Sequence, residues 1–146
     1  GGVYRIISGV FLSHDRGMAL RQFAFAAIVL GSYEWTQGSL LALLMFWATD
    51  IGGVLVVLFG VIPLLAPLPW FDAVQLRDLY DVGMSAGGFG LIGALLAMQR
   101  WRWIGLGAVL LCIVGKIWLD FDVIADSVHL VCLPLGALMQ GLMRRR

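Results

Sequence analysis

Charge is the scarcest commodity in this 146-residue chain: Asp, Glu, Lys and Arg make up 13% of it, about half the share of an ordinary soluble domain. The ten basic and nine acidic residues nearly cancel, and no basic patch is interleaved with aromatics, so no nucleic-acid partner is expected. The two cysteines, Cys112 and Cys132, lie in apolar stretches without metal-ligand spacing. Both are read as packing residues, and neither a metal nor a cofactor is expected. No repeat, low-complexity linker or soluble domain is visible, so residues 1–146 read as one membrane domain. The chain opens on Gly-Gly rather than Met and lacks a signal-peptide pattern, so it is expected to be part of a longer polypeptide.

What the chain has instead is apolar length. Some 61% of it is hydrophobic, too much for a soluble chain of this size to cover with polar surface. Stretches of about 17 or more mostly apolar residues, enough to cross a bilayer as a helix, recur along it. The pattern predicts an all-α polytopic membrane protein with about five transmembrane helices: 18–34, Leu40–Val61, 83–99, 102–119 and 123–143. Pro63, Pro67 and Pro69 are expected to end the second span and Pro134 to interrupt the fifth. The short connectors Gln99–Trp103 and Leu119–Asp122 predict antiparallel neighbours.

The basic residues give an orientation. Arg100, Arg102, Arg144, Arg145 and Arg146 are expected on the cytoplasmic side, which puts the C-terminus there. Asp72, Asp78, Asp81, Asp120 and Asp122 then face outside. Arg5, Arg16 and Arg21 fit less well, since they too fall toward the outer side. Lys116 is expected to snorkel to the outer interface near Asp120, and Trp101, Trp103 and Trp118 to join an interfacial belt. Asp50, in "FWATDIGG", is a carboxylate at mid-span with no partner at helical spacing.

One coincidence of depth points to chemistry. Ser85 lies 15 residues before Arg100, and His129 lies 15 residues before Arg144. At about 1.5 Å per residue each stands roughly 22 Å above the basic edge, on spans that run the same way. Gly83, Gly87, Gly90 and Gly93 on one span, with Gly136, Ala137 and Gly141 on the other, allow near backbone approach in lipid. A neutral imidazole beside a hydroxyl makes a nucleophile of it. Taken singly, the serine could equally be a small packing residue and the histidine a satisfied polar one.

The segment "GMSAGGFGLIGA" resembles the serine helix of the rhomboid intramembrane proteases, with Gly83, Ser85, Phe89, Gly90, Leu91 and Gly93 in the family's places. "DSVHLVCLPLGALMQGL" resembles the family's last helix, with its histidine at His129 and glycines at Gly136 and Gly141. "YRIISGVFLSH" is similar to the stretch before the family's second transmembrane helix, and Glu34 with Gly38–Ser39 to the turn that closes it. The resemblance covers nearly the whole chain. It implies a rhomboid-like helical bundle whose first helix lies upstream. It also implies a Ser85–His129 dyad that cleaves transmembrane segments, with the Ser85 N–H and a side chain of the second helix holding the oxyanion.

Three positions depart from the pattern. Ala86 replaces the usual glycine after the serine. Met18 and Gln22 occupy the places of an oxyanion-stabilising His and Asn, and of these only Gln22 keeps a donor. Asp126, one turn before His129 on the same helical face, is a candidate to orient the imidazole; the alternative is a solvated rim residue. Two function classes follow. One is an intramembrane serine protease acting on transmembrane protein substrates. The other is a catalytically silent rhomboid-fold protein that binds transmembrane helices or serves a larger membrane complex. A transporter fragment using Asp50 and Asp126 would need a broken pair of related spans, which the chain lacks.

Overall fold

A computed structural model describes residues 16–68, 85–119 and 122–144. All regular structure among them is helical: α1 (Arg16–Gln37), α2 (Ser39–Leu65), α3 (Ser85–Met98), α4 (Arg102–Leu119) and α5 (Val123–Met143). A helix satisfies its own backbone, which is what an apolar segment needs where water is absent. Three of the helices, α2, α4 and α5, are long and apolar enough to cross a membrane. Over its 14 described residues α3 is apolar but short, and α1, at 22 residues, is long but diluted by polar side chains.

The turn between α1 and α2 is one residue, Gly38, with φ of +88°, a conformation glycine adopts without penalty. Its N–H donates to the Glu34 carbonyl at 2.7 Å, and its carbonyl accepts from Ala42 N–H at 3.0 Å. The Ser39 hydroxyl donates to the Glu34 carboxylate across the same turn. The expected stop at Val61 is overrun. Val57–Val61 forms a π-helical turn and the helix continues to Leu65, past Pro63. Proline clashes with the carbonyl four residues back, and a widened turn just before it relieves that crowding. Pro134 does not interrupt α5 either; the helix runs through it.

Direction and register follow from contacts at the two ends. Ser85 and His129 meet at one end of α3 and α5, 44 residues apart in sequence. The Arg144 guanidinium donates to the Met98 carbonyl, 3.3 Å away, at the other end, across a separation of 46. The two helices therefore run parallel and nearly in register. Between those ends a Cβ on Gly93 would fall 1.9 Å from the Leu133 carbonyl oxygen, and one on Gly136 would fall 1.8 Å from that of Gly90. The backbones touch because side chains are missing.

The other helices pack around this pair. On α1, Phe25 lies against Gly88 and the buried Tyr33 hydroxyl donates to Gln140, so α1 runs parallel to α3 and α5. The antiparallel α2 brings Phe46 against Gly87, Thr49 against Gly90 and Gly53 against Cys132. Most of α4 is exposed, with Ile113 its one buried residue. Trp101, Trp103 and Trp118 are 69%, 75% and 88% exposed, as a lipid-facing belt requires. The Arg102 guanidinium sits 5.5 Å from the Trp103 ring centroid. Cys112 is exposed on α4 and is no packing residue, whereas Cys132 is buried and donates to the Thr49 carbonyl at 3.3 Å.

Candidate active site

Ser85 is the first described residue of α3, one turn before Phe89 on the same helix. His129 sits in the second turn of α5, whose start is fixed by a side-chain cap. The Asp122 carboxylate accepts from Ile124 N–H at 3.1 Å and from Ala125 N–H at 3.0 Å. The Ser85 Oγ and His129 Nε2 atoms are 3.0 Å apart, hydrogen-bond distance. A proton on Nδ1 leaves Nε2 free to accept from the hydroxyl, the arrangement a general base needs.

Phe89, one turn after Ser85, stacks on the imidazole with centroids 4.2 Å apart and planes 29° from parallel. The Phe25 ring of α1 lies 5.9 Å from that of Phe89, tilted by 39°. The histidine ring is thus held by an aromatic shelf on the helix that carries the serine. Sequence reasoning placed Phe89 in the pattern without a role; its spacing of four from Ser85 is the signal that would have put it on that face.

Asp126 makes no hydrogen bond to the imidazole among the described residues. Its Oδ2 accepts the Asp122 N–H at 3.0 Å and the Lys116 ammonium at 3.1 Å. Its Oδ1 lies 3.1 Å from the same ammonium without a hydrogen bond. It is not a solvated rim residue either, being 1% exposed. Lys116 accordingly reaches sideways to α5 and ties α4 to it. Asp50, which lacked a partner in the sequence, accepts the Gly87 N–H at 3.1 Å; a separation of 37 residues kept that pairing out of sight.

Among the supporting positions, Ala86 is fully buried. Gly83 lies outside the described residues, as do the side chain of Met18 and His14, the last residue of the "YRIISGVFLSH" segment. Gln22 is half-buried. Phe25 packs at the level of Gly88 on a parallel helix, so Gln22, three residues earlier on the same face, is level with Ser85. It makes no hydrogen bond to Ser85 or His129 among the described residues. No group of three or more metal-ligating side chains occurs among the described residues. No family model, curated protein or solved structure matches this chain.

Proposed function

We propose that the chain is a rhomboid-type intramembrane serine protease with Ser85 as nucleophile and His129 as general base. The observation that carries this reading is the 3.0 Å contact between Oγ and Nε2, made by two helices whose small residues bring their backbones together. Ser85 Oγ attacks the scissile carbonyl carbon while its proton passes to Nε2, and the carbonyl π pair moves onto oxygen. Collapse of that intermediate breaks the C–N bond, and the amine leaves with the proton from Nε2. A water then gives a proton to Nε2 and adds to the ester, the C–Oγ bond breaks as Nε2 returns that proton to Oγ, and the acid leaves. The Ser85 N–H and the Gln22 amide are the donors for the oxyanion. In this reading the five helices span the bilayer, with the dyad toward the outer face and Arg100, Arg102 and Arg144 at the cytoplasmic edge.

The test is fluorophosphonate labelling of the membrane-embedded chain. Wild type takes the label, and Ser85→Ala and His129→Ala lose it while keeping the wild-type melting profile. Well-folded wild-type protein that does not label sinks the protease. The second reading, a silent rhomboid-fold protein that binds transmembrane helices, is favoured by Met18, which has no donor to offer where the family pattern has an oxyanion-stabilising His. It predicts capture of a transmembrane peptide that is unaffected by Ser85→Ala.

A further inference from the structure

Asp50 is a carboxylate where carboxylates are costly: within α2, 2% exposed, in a segment apolar enough to cross a membrane. Its Oδ1 accepts the backbone N–H of Gly87, the third residue of α3. Ser85 lies in the same turn. Phe46, one turn before Asp50 on α2, fills the space a Cβ at Gly87 would take, its ring 2.6 Å from that point. One helix thus holds residue 87 twice, through its amide and through its missing side chain.

We propose that Asp50 is a positioning residue for Ser85, its carboxylate oxygen anchoring the first described turn of α3 to α2 and so keeping the serine hydroxyl within reach of His129. The proposal rests on the protease reading. Without an acceptor at position 50, the Gly87 N–H loses that oxygen in an apolar setting, which is costly, and the turn that carries Ser85 is released from α2. His129 would not follow, because the Asp122 cap on α5 is independent of Asp50. The oxygen is what counts, not the charge, so an amide of the same shape substitutes.

The experiment compares wild type, Asp50→Asn, Asp50→Leu and Ser85→Ala in the full membrane-embedded chain. It follows fluorophosphonate labelling rate together with amide hydrogen exchange along α3. Asp50→Leu is expected to speed exchange in the first turn and slow labelling, each about 10- to 100-fold, the loss of one hydrogen bond to a carboxylate. Exchange over Leu91–Met98 stays unchanged, and on a transmembrane substrate kcat falls while KM holds. Asp50→Asn retains both properties and carries the test alone if Asp50→Leu does not fold. Wild-type labelling with unchanged first-turn exchange in Asp50→Leu overturns the proposal, and so does an Asp50→Asn as impaired as Asp50→Leu. If wild type shows no Ser85-dependent labelling, the protease reading fails. A first turn loosened in Asp50→Leu would still identify the anchor, so the two failures are told apart.

Discussion

At the scale of single residues, the pair Ser85 and His129 depends on neighbours that do no chemistry. Phe89 is the clearest. Phe89→Leu keeps most of the volume but removes the stack on the imidazole, which costs about 0.5–1.5 kcal/mol; a lower melting temperature and several-fold slower labelling are expected together. Gln22 offers a sharper discrimination. If its amide reaches the oxyanion only when a substrate is bound, Gln22→Ala leaves the fold intact and slows turnover by about 10²–10³, the usual effect of losing one such donor. Unchanged turnover in that variant would remove Gln22 from the mechanism and leave the backbone N–H as the donor. The alcohol and the imidazole were legible in the sequence, because helical rise converts their equal distances from an arginine into equal depth. The stack and the Asp50 bond were not, because each joins helices whose relative rotation no local pattern encodes.

At the scale of elements, α3 and α5 are held at backbone contact by what their glycines omit. Gly136→Ala puts a methyl group 1.8 Å from the Gly90 carbonyl oxygen, and backbone cannot yield as a side-chain tip can. The helices must part, at about 1–3 kcal/mol or more for overpacking, and labelling should disappear with both reactive residues still present. Gly141→Ala, one turn and a half further on, meets nothing within 4 Å and is expected to be neutral or slightly stabilising. Thermal unfolding and labelling of the two variants side by side check this. The same contrast shows where pattern reading stops. The glycine spacing announced two contact faces, yet Gly141 carries the same letter as Gly136 and has open space where a Cβ would go. Two prolines misled for a related reason: Pro63 yielded to a π turn in α2 and Pro134 to the continuous backbone of α5, whereas α2 does end at Leu65, just before Pro67.

At the scale of the molecule, the described helices share two ends. One holds Ser85, His129, Phe89, Phe25 and the Lys116–Asp126 pair; the other holds the Gly38 turn, the Arg144–Met98 contact, Arg100 and Arg102. The asymmetry of basic residues predicts that the second end is cytoplasmic. A Gln99→Cys substitution in a Cys112→Ala background should react with a membrane-impermeant maleimide in inside-out vesicles and stay silent in right-side-out ones; the reverse pattern would invert the orientation. Composition alone made the all-helical class legible, since apolar runs leave little other way to pair a backbone. The number of spans was less so. Three helices meet the length and hydropathy a crossing needs, because α1 mixes polar residues into its length and α3 is described only from Ser85 onward.

The near-constant offset between α3 and α5 has a further consequence. Every residue from Ser85 to Met98 has an opposite number fixed by counting, so spacing is as much a part of this site as chemistry. One alanine inserted between His129 and Gly136 would delete nothing, yet it would turn the imidazole by about 100° and lift it by about 1.5 Å. Side chains along these helices are exchangeable letters; the distance between them is the grammar.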